Sequence, residues 1–324
     1  MTLPLFGFDD SPVDDPDVAA VQAALYALDP DGRRTAGVIR STIDQLLDGR
    51  RMGRWSYKQL HKTEKTHLGT LLEINLYKDL RLEEGEKADY LIEGIEVDCK
   101  YANALGGWEI GPELVGCLCL VITASDSEKK STWQAGLVRA SEEHLRTSTN
   151  RDSKRKLNAA GVQAITWLWG GENQLEPNQL LGMSDSVRTQ IMGAPGKHGP
   201  AGQARINKLF ELFQGEVVRR VTLETVGHGL DDPLKRARAN GGARDYLRPK
   251  GILVLGHQDR DPEVAVSLGL DVPLKGQFIS ARVVPAPDTP DGRPVAVIGG
   301  ASWVLARGDE QSDPPVPAPV VPKS

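Results

Sequence analysis

Two aspartates and a lysine stand close together in the stretch ADYLIEGIEVDCKYA, residues 88–102. Within it, Glu93-Gly94 is typical of a two-residue hairpin loop, because glycine accepts the positive φ of a primed turn and apolar residues flank both sides. This loop sets a register that pairs Ile92 with Ile95, Leu91 with Glu96, Tyr90 with Val97, and Asp89 with Asp98. The pattern therefore predicts two carboxylates that face each other across a pair of strands.

Asp89 and Asp98 could together hold a metal ion. Side chains alternate along a strand, so Asp98 and Lys100 share one face and the apolar residues share the other. Opposed like charges cost up to roughly 1 kcal/mol, and a divalent cation between them removes that cost. Carboxylates with water in the remaining positions are typical of Mg²⁺ sites, and a lysine beside them can orient or deprotonate water for phosphodiester hydrolysis. The alternative is an exposed hairpin edge with solvated charges.

A third carboxylate, Glu73, lies in the segment HLGTLLEINLYKDL, residues 67–80. Leucines four residues apart predict an amphipathic helix there: Leu68, Leu72, Leu76 and Leu80. Glu73 stands beside this apolar stripe. It could lean over the hairpin as a third metal ligand, or reach outward to water, as an acid at the edge of a buried stripe usually does.

The elements that position these residues follow the order helix, strand, strand, strand, helix, strand from residue 66 onward. Residues 114–125, LVGCLCLVITAS, are a continuous apolar run typical of a strand buried on both faces. Gly49 is expected to end an earlier helix as its C′ glycine. The predicted helices are residues 18–28, 35–49, 67–80 and 153–161, and the predicted strands after the hairpin are residues 114–125 and 162–170.

The chain as a whole has 324 residues, which is enough for about two domains. No apolar run approaches the roughly 20 residues of a membrane helix, and the amino terminus is acidic where a signal peptide is basic. We therefore expect a cytoplasmic protein without a membrane partner. Its three cysteines, Cys99, Cys117 and Cys119, lack zinc or redox spacing, which favours buried free thiols.

The net charge of −5 conceals a segregated distribution. Acidic residues collect near both ends, and we predict a disordered acidic tail at residues 1–15 and a disordered Pro-rich tail at residues 311–324. Basic clusters lie between them. Local patches decide polyanion binding more than the total charge does, so the clusters predict DNA contacts, with a solvated helix face as the alternative. The candidate DNA-binding residues are Arg50, Arg51, Arg54, Lys235, Arg236, Arg238, Arg244, Arg248 and Lys250.

A change in composition after Gly170 divides the chain. We predict a catalytic domain at residues 16–170, a linker at residues 171–178 and a second domain at residues 179–310. The glycine-rich loop GAPGKHGPAGQA carries His198 where a phosphate-binding P-loop requires Ser or Thr, and its glycine spacing is wrong. We therefore expect no nucleotide cofactor.

The second domain is predicted to contain two helices and a strand. ARINKLFELFQG, residues 204–215, is amphipathic, and the basic helix at residues 231–242 has Asp231 or Asp232 as its cap and Pro233 in its first turn. The segment KGILVLG follows as a strand. Helices followed by a basic helix and a strand fit a winged helix-turn-helix, whose basic helix enters the major groove of DNA.

The residues of the hairpin resemble the D-x(n)-(D/E)-x-K signature of the PD-(D/E)xK nucleases, with Ala88 in place of the usual proline. The order of the predicted elements is similar to the common core of that superfamily. More closely, TIDQLLDGRRMGRW, TEKTHLGTLLEINLYKDL, DYLIEGIEVDCKYA and the basic second half resemble the NaeI-type type II restriction endonucleases. The resemblance covers nearly the whole chain apart from its tails.

This resemblance implies an α/β fold with a restriction-endonuclease-like core, a mixed central sheet flanked by helices, and a carboxy-terminal, catabolite-activator-like winged helix-turn-helix domain. Glu73, Asp89 and Asp98 would bind Mg²⁺, and Lys100 would position or activate the attacking water. The enzyme would be a bacterial cytoplasmic homodimer that cleaves double-stranded DNA at a GC-rich palindrome such as GCCGGC. A second copy of that DNA, bound at the carboxy-terminal domain, would activate it.

Other functions stay open at this stage. The segment DQLLDG, residues 44–49, is similar to the adenylation motif of DNA ligases, but Leu46 stands where the nucleophilic lysine would be, so ligase chemistry is not expected. A DNA-binding regulator with an inert nuclease core is a second alternative, although all four catalytic positions are filled. A nuclease that needs no second DNA copy is a third.

Overall fold

The structure is a computed structural model, and it describes residues 15–128, 130–171, 175–196, 201–238, 241–289, 291–308, 310 and 315–323. The chain forms two compact units. The first comprises Met1–Leu46 and Ser56–Asn178, and the second comprises Leu47–Trp55 and Gln179–Ser324.

The α-helices and strands of the described residues are numbered here in chain order. The helices are α1 (Pro16–Leu28), α2 (Arg33–Leu47), α3 (Gly49–Met52), α4 (Lys62–Leu80), α5 (Ala159–Gln163), α6 (Gln179–Gly182), α7 (Asp185–Met192), α8 (Gly202–Leu212), α9 (Arg220–Val226), α10 (Pro233–Arg238), α11 (Ala243–Leu247) and α12 (Asp261–Ser267). The strands are β1 (Glu83–Glu84), β2 (Tyr90–Ile92), β3 (Ile95–Ala102), β4 (Leu118–Asp126), β5 (Ser131–Arg139), β6 (Thr166–Gly171), β7 (Val217–Val218), β8 (Ile252–Leu255), β9 (Phe278–Pro285), β10 (Ala296–Ile298) and β11 (Ala301–Leu305).

The first unit is built on a sheet in which the strands follow the order β1-β2-β3-β4-β5-β6. β3 and β4 run parallel, and the other neighbouring pairs are antiparallel. α4 packs against β3, and α1 packs against β5. The predicted mixed central sheet flanked by helices is therefore confirmed.

The hairpin of β2 and β3 has the predicted register, in which Tyr90 pairs with Val97 and Ile92 pairs with Ile95. Glu93 and Gly94 both adopt positive φ, at 52° and 75°, as a type I′ turn requires. β3 is an inner strand, because β4 pairs with its other side. The alternative of an exposed hairpin edge is therefore wrong.

α4 buries the predicted leucine stripe, Leu68, Leu72, Leu76 and Leu80. A capping box begins the helix: His61 is the N-cap, and its backbone N–H donates to the Glu64 carboxylate at 2.8 Å. The helix ends at Leu80, and Arg81 follows as its C-cap in the left-handed conformation. The apolar strand predicted at residues 114–125 is β4, and its first five residues are buried.

Two elements of the first unit differ from prediction. β5 was missed, because it follows the charged turn that ends β4, although Trp133, Ala135 and Leu137 alternate as in a strand. The helix predicted at residues 153–161 is only α5. The Asn158 side chain accepts the Gly161 N–H and caps that helix, and the residues before it form isolated bridges to distant backbone instead.

The second unit joins helices to a sheet of order β10-β11-β9-β7, with β8 also paired to β9. The predicted strand after residue 250 is β8. The predicted basic helix is shorter than expected and corresponds to α10, with Asp232 Oδ1 accepting the Lys235 N–H at 2.9 Å. The core of the second unit includes Ile206 and Phe210 of α8. The winged helix-turn-helix stays a prediction.

Residues 47–55 lie in a different place from the one predicted. The sequence places them in the catalytic domain, but they pack in the second unit, where α3 contacts α9. Gly49 is not a C′ glycine, because Asp48 takes the left-handed conformation (φ 47°) and Gly49 begins α3. A side chain at Gly49 would collide with Thr225, which explains a glycine at this position.

The predicted linker and tails also differ in part. Gly171 belongs to β6 and Leu175 is fully buried, so both belong to the first unit; residues 172–174 lie outside the described part. Asp15 is the N-cap of α1 and bonds to Arg139 at 2.6 Å, and residues 1–14 are not described. Residues 315–323 of the Pro-rich tail pack against the second unit, because Ala318 is buried in an apolar cluster there.

The described cysteines are free, as predicted: Cys99 and Cys119 are buried and Cys117 is partly exposed. Within the described part of the chain, none of the helices combines the length and apolar character that a bilayer span requires.

Candidate active site

The hairpin and α4 bring the four predicted catalytic side chains together within the first unit. Asp98 and Lys100 lie on β3, Asp89 directly precedes β2, and Glu73 lies on α4. The hydroxyl of Tyr90 donates to the Glu73 carbonyl oxygen at 2.9 Å, which fixes α4 against the hairpin. The grouping joins residues that are up to 27 positions apart in the sequence.

Asp98 and Lys100 form a buried ion pair. The Lys100 ammonium is 2.5 Å from Asp98 Oδ2, and the Asp98 side chain is only 4% exposed. Burial is the largest effect on the Asp98 carboxyl and raises its pKa to about 6, although Lys100 opposes this. Burial would lower the pKa of Lys100, but the Asp98 carboxylate outweighs it and the pKa is raised, so the lysine is held as an ammonium.

Asp89 connects the two other carboxylates. Its Oδ2 accepts the Cys99 N–H at 2.7 Å, which fixes the side chain against β3. Burial raises the pKa of Glu73, and the neighbouring Asp89 raises it further. Asp89 also contributes to the raised pKa of Asp98. Asp89 therefore repels both of the other carboxylates, as expected for acids collected in one site.

The charge of this site fits a hard divalent cation. Asp98 Oδ2 is buried against the Lys100 ammonium at 2.5 Å, and a carboxylate oxygen has a second lone pair that could bind a cation. A cation would also relieve the repulsion among the three acids. Across the described ranges, however, no group of three or more His, Cys, Asp or Glu side chains is already arranged to hold a metal ion. The donors suit such an ion, but they are not preassembled as a closed ligand set.

Glu96 is a positioning residue that the sequence reasoning missed. Its carboxylate accepts the backbone N–H groups of Glu86, Lys87 and Ala88 at 2.9, 3.2 and 2.8 Å. These bonds hold the loop that leads into Asp89, and they lower the pKa of Glu96. The available signal was its place on the same alternating face as Asp98.

We predict that replacing Glu96 with alanine lowers the cleavage rate constant by up to about 10²-fold, because a displacement near 1 Å at Asp89 is enough for such a loss. The Michaelis constant for DNA should change little. Steady-state kinetics on a single-site duplex would measure both. Glu86→Ala removes an exposed acid from the same loop and is the matched control; an equal loss in that variant would contradict the positioning role.

The candidate DNA-binding residues all lie in the second unit. In residues 47–55, Arg51 is 81% exposed, whereas Arg54 Nε donates to the Leu47 carbonyl oxygen at 2.8 Å. Arg50 donates to the Asp231 carbonyl oxygen at 3.2 Å. Arg54 and Arg50 thus bind backbone within their own unit, and the Arg51 side chain is the most exposed of the three.

Four of the six remaining basic residues line one groove of about 680 Å³, here called the basic groove: Lys235, Arg238, Arg244 and Arg248. Arg244 is also held by Asp261 at 2.6 Å. Lys250 does not line the groove, since it pairs with Glu211 at 2.8 Å and lies over the Tyr246 ring. Arg236 is exposed on α10 but also lies outside the groove.

Comparisons with known proteins relate the chain to one family. A family model described as restriction endonuclease NaeI matches residues 19–314. The type II restriction enzyme NaeI of Lentzea aerocolonigenes is 50% identical over 310 residues, which cover 95% of this chain and 95% of that protein. The matched region includes both the acidic site and the basic groove up to residue 314.

Proposed function

The chain belongs to the NaeI restriction endonuclease family, and from this we propose that it is a Mg²⁺-dependent enzyme that cleaves double-stranded DNA at a GCCGGC-like palindrome. The observation that carries the proposal is the buried pair of Lys100 and Asp98, 2.5 Å apart, with Asp89 and Glu73 beside it. A regulator with an inert nuclease core would have no need to keep a charged pair buried.

The proposed reaction is hydrolysis of a phosphodiester bond. A water oxygen attacks phosphorus, a new P–O bond forms, and the bond to the leaving ribose oxygen breaks. Lys100 is held as an ammonium, so we assign it to orienting the water and to donating toward the phosphate oxygen, where negative charge develops. A protonated amine cannot act as the base in that state, and the proton lost by the water passes to solvent.

Type II restriction endonucleases generally use divalent metal ions. Asp89 and Asp98 would hold the ion, with Glu73 as a third acid, and the ion would supply positive charge at the phosphate and a lower pKa for its bound water. Asp89 is already fixed by the Cys99 N–H. The backbone bonds to Glu96 keep the approach to Asp89 in place.

A palindromic target implies two subunits, because one active site cleaves one strand and a two-fold axis relates the two strands. We therefore propose a homodimer. We also propose that a second DNA copy binds the second unit through a winged helix-turn-helix and activates cleavage. The basic groove supports this, since Lys235 and Arg238 lie three residues apart on α10 and both face it.

The test of the nuclease proposal is digestion of a plasmid with several GCCGGC sites. Purified protein with Mg²⁺ should yield discrete fragments whose ends map to those sites, and EDTA should leave the plasmid intact because the acids then lack their cation. A plasmid from which the sites have been removed is the control. Fragments from both plasmids would contradict the sequence specificity, and intact DNA that is nevertheless retarded on a gel would favour the regulator.

A separate titration tests the second DNA site. A short cleavage-resistant duplex carrying GCCGGC should raise the cleavage rate of a single-site substrate, because occupancy of the second unit shifts the enzyme toward its active state. The rate should reach a plateau as the duplex saturates. A scrambled duplex is the control. Simple competitive inhibition from the lowest concentrations onward would exclude the two-site model.

A further inference from the structure

The carboxy-terminal segment, residues 315–323, is docked on the second unit. The Ala318 N–H donates to the Arg248 carbonyl oxygen at 2.8 Å, and the Ala318 side chain is 2% exposed. Val321 packs against the same apolar cluster. The backbone of this segment thus has a hydrogen bond and a buried anchor, as expected for a built part of the unit.

Gly251 leaves room for this segment. It adopts positive φ (74°), and a Cβ at this position would lie 3.0 Å from the Val316 carbonyl oxygen. Both its conformation and the close approach favour glycine. Gly251 follows the short turn that begins at Arg248, so the segment is fitted to the same turn that carries this arginine.

The segment also forms one wall of the basic groove, through Pro319, Val320, Val321 and Lys323. Lys323 therefore joins the four basic residues that line the other walls. The acids in the lining are Asp245, Asp259 and Asp261, and cations outnumber them. Asp261 is paired with Arg244, and Asp245 accepts the Gly241 N–H at 2.7 Å.

This excess of cations selects a ligand that carries several phosphate groups. Lys and Arg bind phosphate oxygens through charge-assisted hydrogen bonds, and a groove lined by several cations can contact more than one phosphate of a strand. Lys235, Arg238 and Arg248 come before the segment in the sequence, and Lys323 belongs to the segment itself.

We propose that residues 315–323 are a wall of the second DNA-binding site, in which the segment fixes Arg248 through its backbone and contributes Lys323 to the DNA phosphates. This inference rests on the proposed binding of DNA to the second unit. It adds a positioning role for the segment, and it makes the strength of that binding depend on Lys323.

The experiment compares the full chain, Lys323→Ala and a chain that ends at residue 314. A fluorescent, cleavage-resistant GCCGGC duplex is titrated in EDTA by anisotropy at several salt concentrations. We expect Lys323→Ala to weaken binding by about 3- to 10-fold and to reduce the slope of log K against log salt by about 1, as for one lost phosphate contact. The shortened chain should lose at least as much.

Lys275→Ala is the matched control, because Lys275 is an exposed lysine of the second unit that does not line the groove. Affinities and salt slopes equal to those of the full chain in both Lys323→Ala and the shortened chain would overturn the proposal. An equal loss in Lys275→Ala would overturn it as well, since net charge alone would then explain the effect. Thermal melting checks that the shortened chain is folded. If it is not, the affinity and salt slope of Lys323→Ala alone test the proposal.

Competition by inorganic phosphate tests whether the segment itself binds phosphate groups. If millimolar phosphate weakens duplex binding by the full chain and by the shortened chain to the same extent, at constant ionic strength, the segment takes no part in phosphate binding and the proposal fails. Failure of the proposed activation is separate: a full chain that binds the duplex but is not stimulated by it disproves the effector role, whereas the segment is still judged by the binding difference.

Discussion

Replacing Lys100 with alanine is expected to lower the rate of DNA cleavage by about 10²- to 10⁴-fold, the range for losing a positioned proton-transfer or charge-stabilising group. DNA binding should be largely unchanged, because the nine candidate DNA-binding residues lie in the second unit and Lys100 lies in the first. Single-turnover cleavage and gel retardation of the same duplex, each with Mg²⁺ and with Ca²⁺, would separate the two effects.

Two further variants complete this test. Lys100→Met keeps the aliphatic stem in its half-buried position, so a loss of cleavage equal to that of Lys100→Ala would assign the effect to the ammonium. Lys87→Ala removes an exposed lysine from the loop before β2 and should cleave normally. If Lys100→Ala lost binding and cleavage to the same degree, the lysine would be structural and the catalytic assignment would be withdrawn.

Replacing Asp98 with asparagine is expected to reduce cleavage by about a thousandfold or more, since the loss of a charged ligand removes several kcal/mol of metal-assisted stabilisation. The matched variant is Glu86→Gln, in which an exposed acid is neutralised. Binding of Mn²⁺ or Mg²⁺, followed by calorimetry, should weaken in Asp98→Asn and be unchanged in Glu86→Gln. Normal metal binding in Asp98→Asn would contradict the ligand role.

The same substitution should change how stability depends on pH in the absence of metal. Burial raises the pKa of the Asp98 carboxyl in the folded state to about 6, from its ordinary value of 3.8, so protonation of Asp98 favours the folded state. The contribution is fully present below pH 3.8 and is lost as the pH rises through about 6. A shift of this size corresponds to about 3 kcal/mol for a buried group.

Thermal unfolding in EDTA at pH 5 and pH 8 would measure this effect. The wild-type protein should lose stability between the two values, and Asp98→Asn should lose less. Well below pH 3.8 the two proteins should show the same pH dependence, because Asp98 is then protonated in both the folded and the unfolded state. Identical pH profiles in both proteins would mean that the pKa of Asp98 is not raised in the folded state.

The hairpin was predictable from the sequence because its signals are local. Glu93-Gly94 fixes the turn, and the turn fixes the register in which Tyr90 pairs with Val97, so that Asp89 and Asp98 come next along the two chain segments. The leucine stripe of α4 is likewise a property of one segment. The basic face of α10 and the strand β8 could also be found, because capping residues and apolar runs mark them within a few positions.

The tertiary structure decided what depends on distant neighbours. The burial of Asp98 follows from pairing of β3 with β4, which begins 20 residues after Asp98 in the sequence. Glu73 lies near the other acids because α4 packs on β3 and because the backbone carbonyl oxygen of Glu73 accepts a hydrogen bond from the Tyr90 hydroxyl. Glu96 was not among the predicted site residues, because its role depends on how the loop before Asp89 folds back onto its carboxylate.

The sequence by itself determined which residues could carry out chemistry: an acid and a lysine on one strand, a second acid just before the strand paired with it, a third acid on a leucine-striped helix, and a basic second half. Only the tertiary structure assigned Leu47–Trp55 to the second unit and docked the Pro-rich tail there. The physical reason is that hairpins and helices are fixed by short-range backbone preferences, whereas burial and docking depend on surfaces that meet only after the chain has folded.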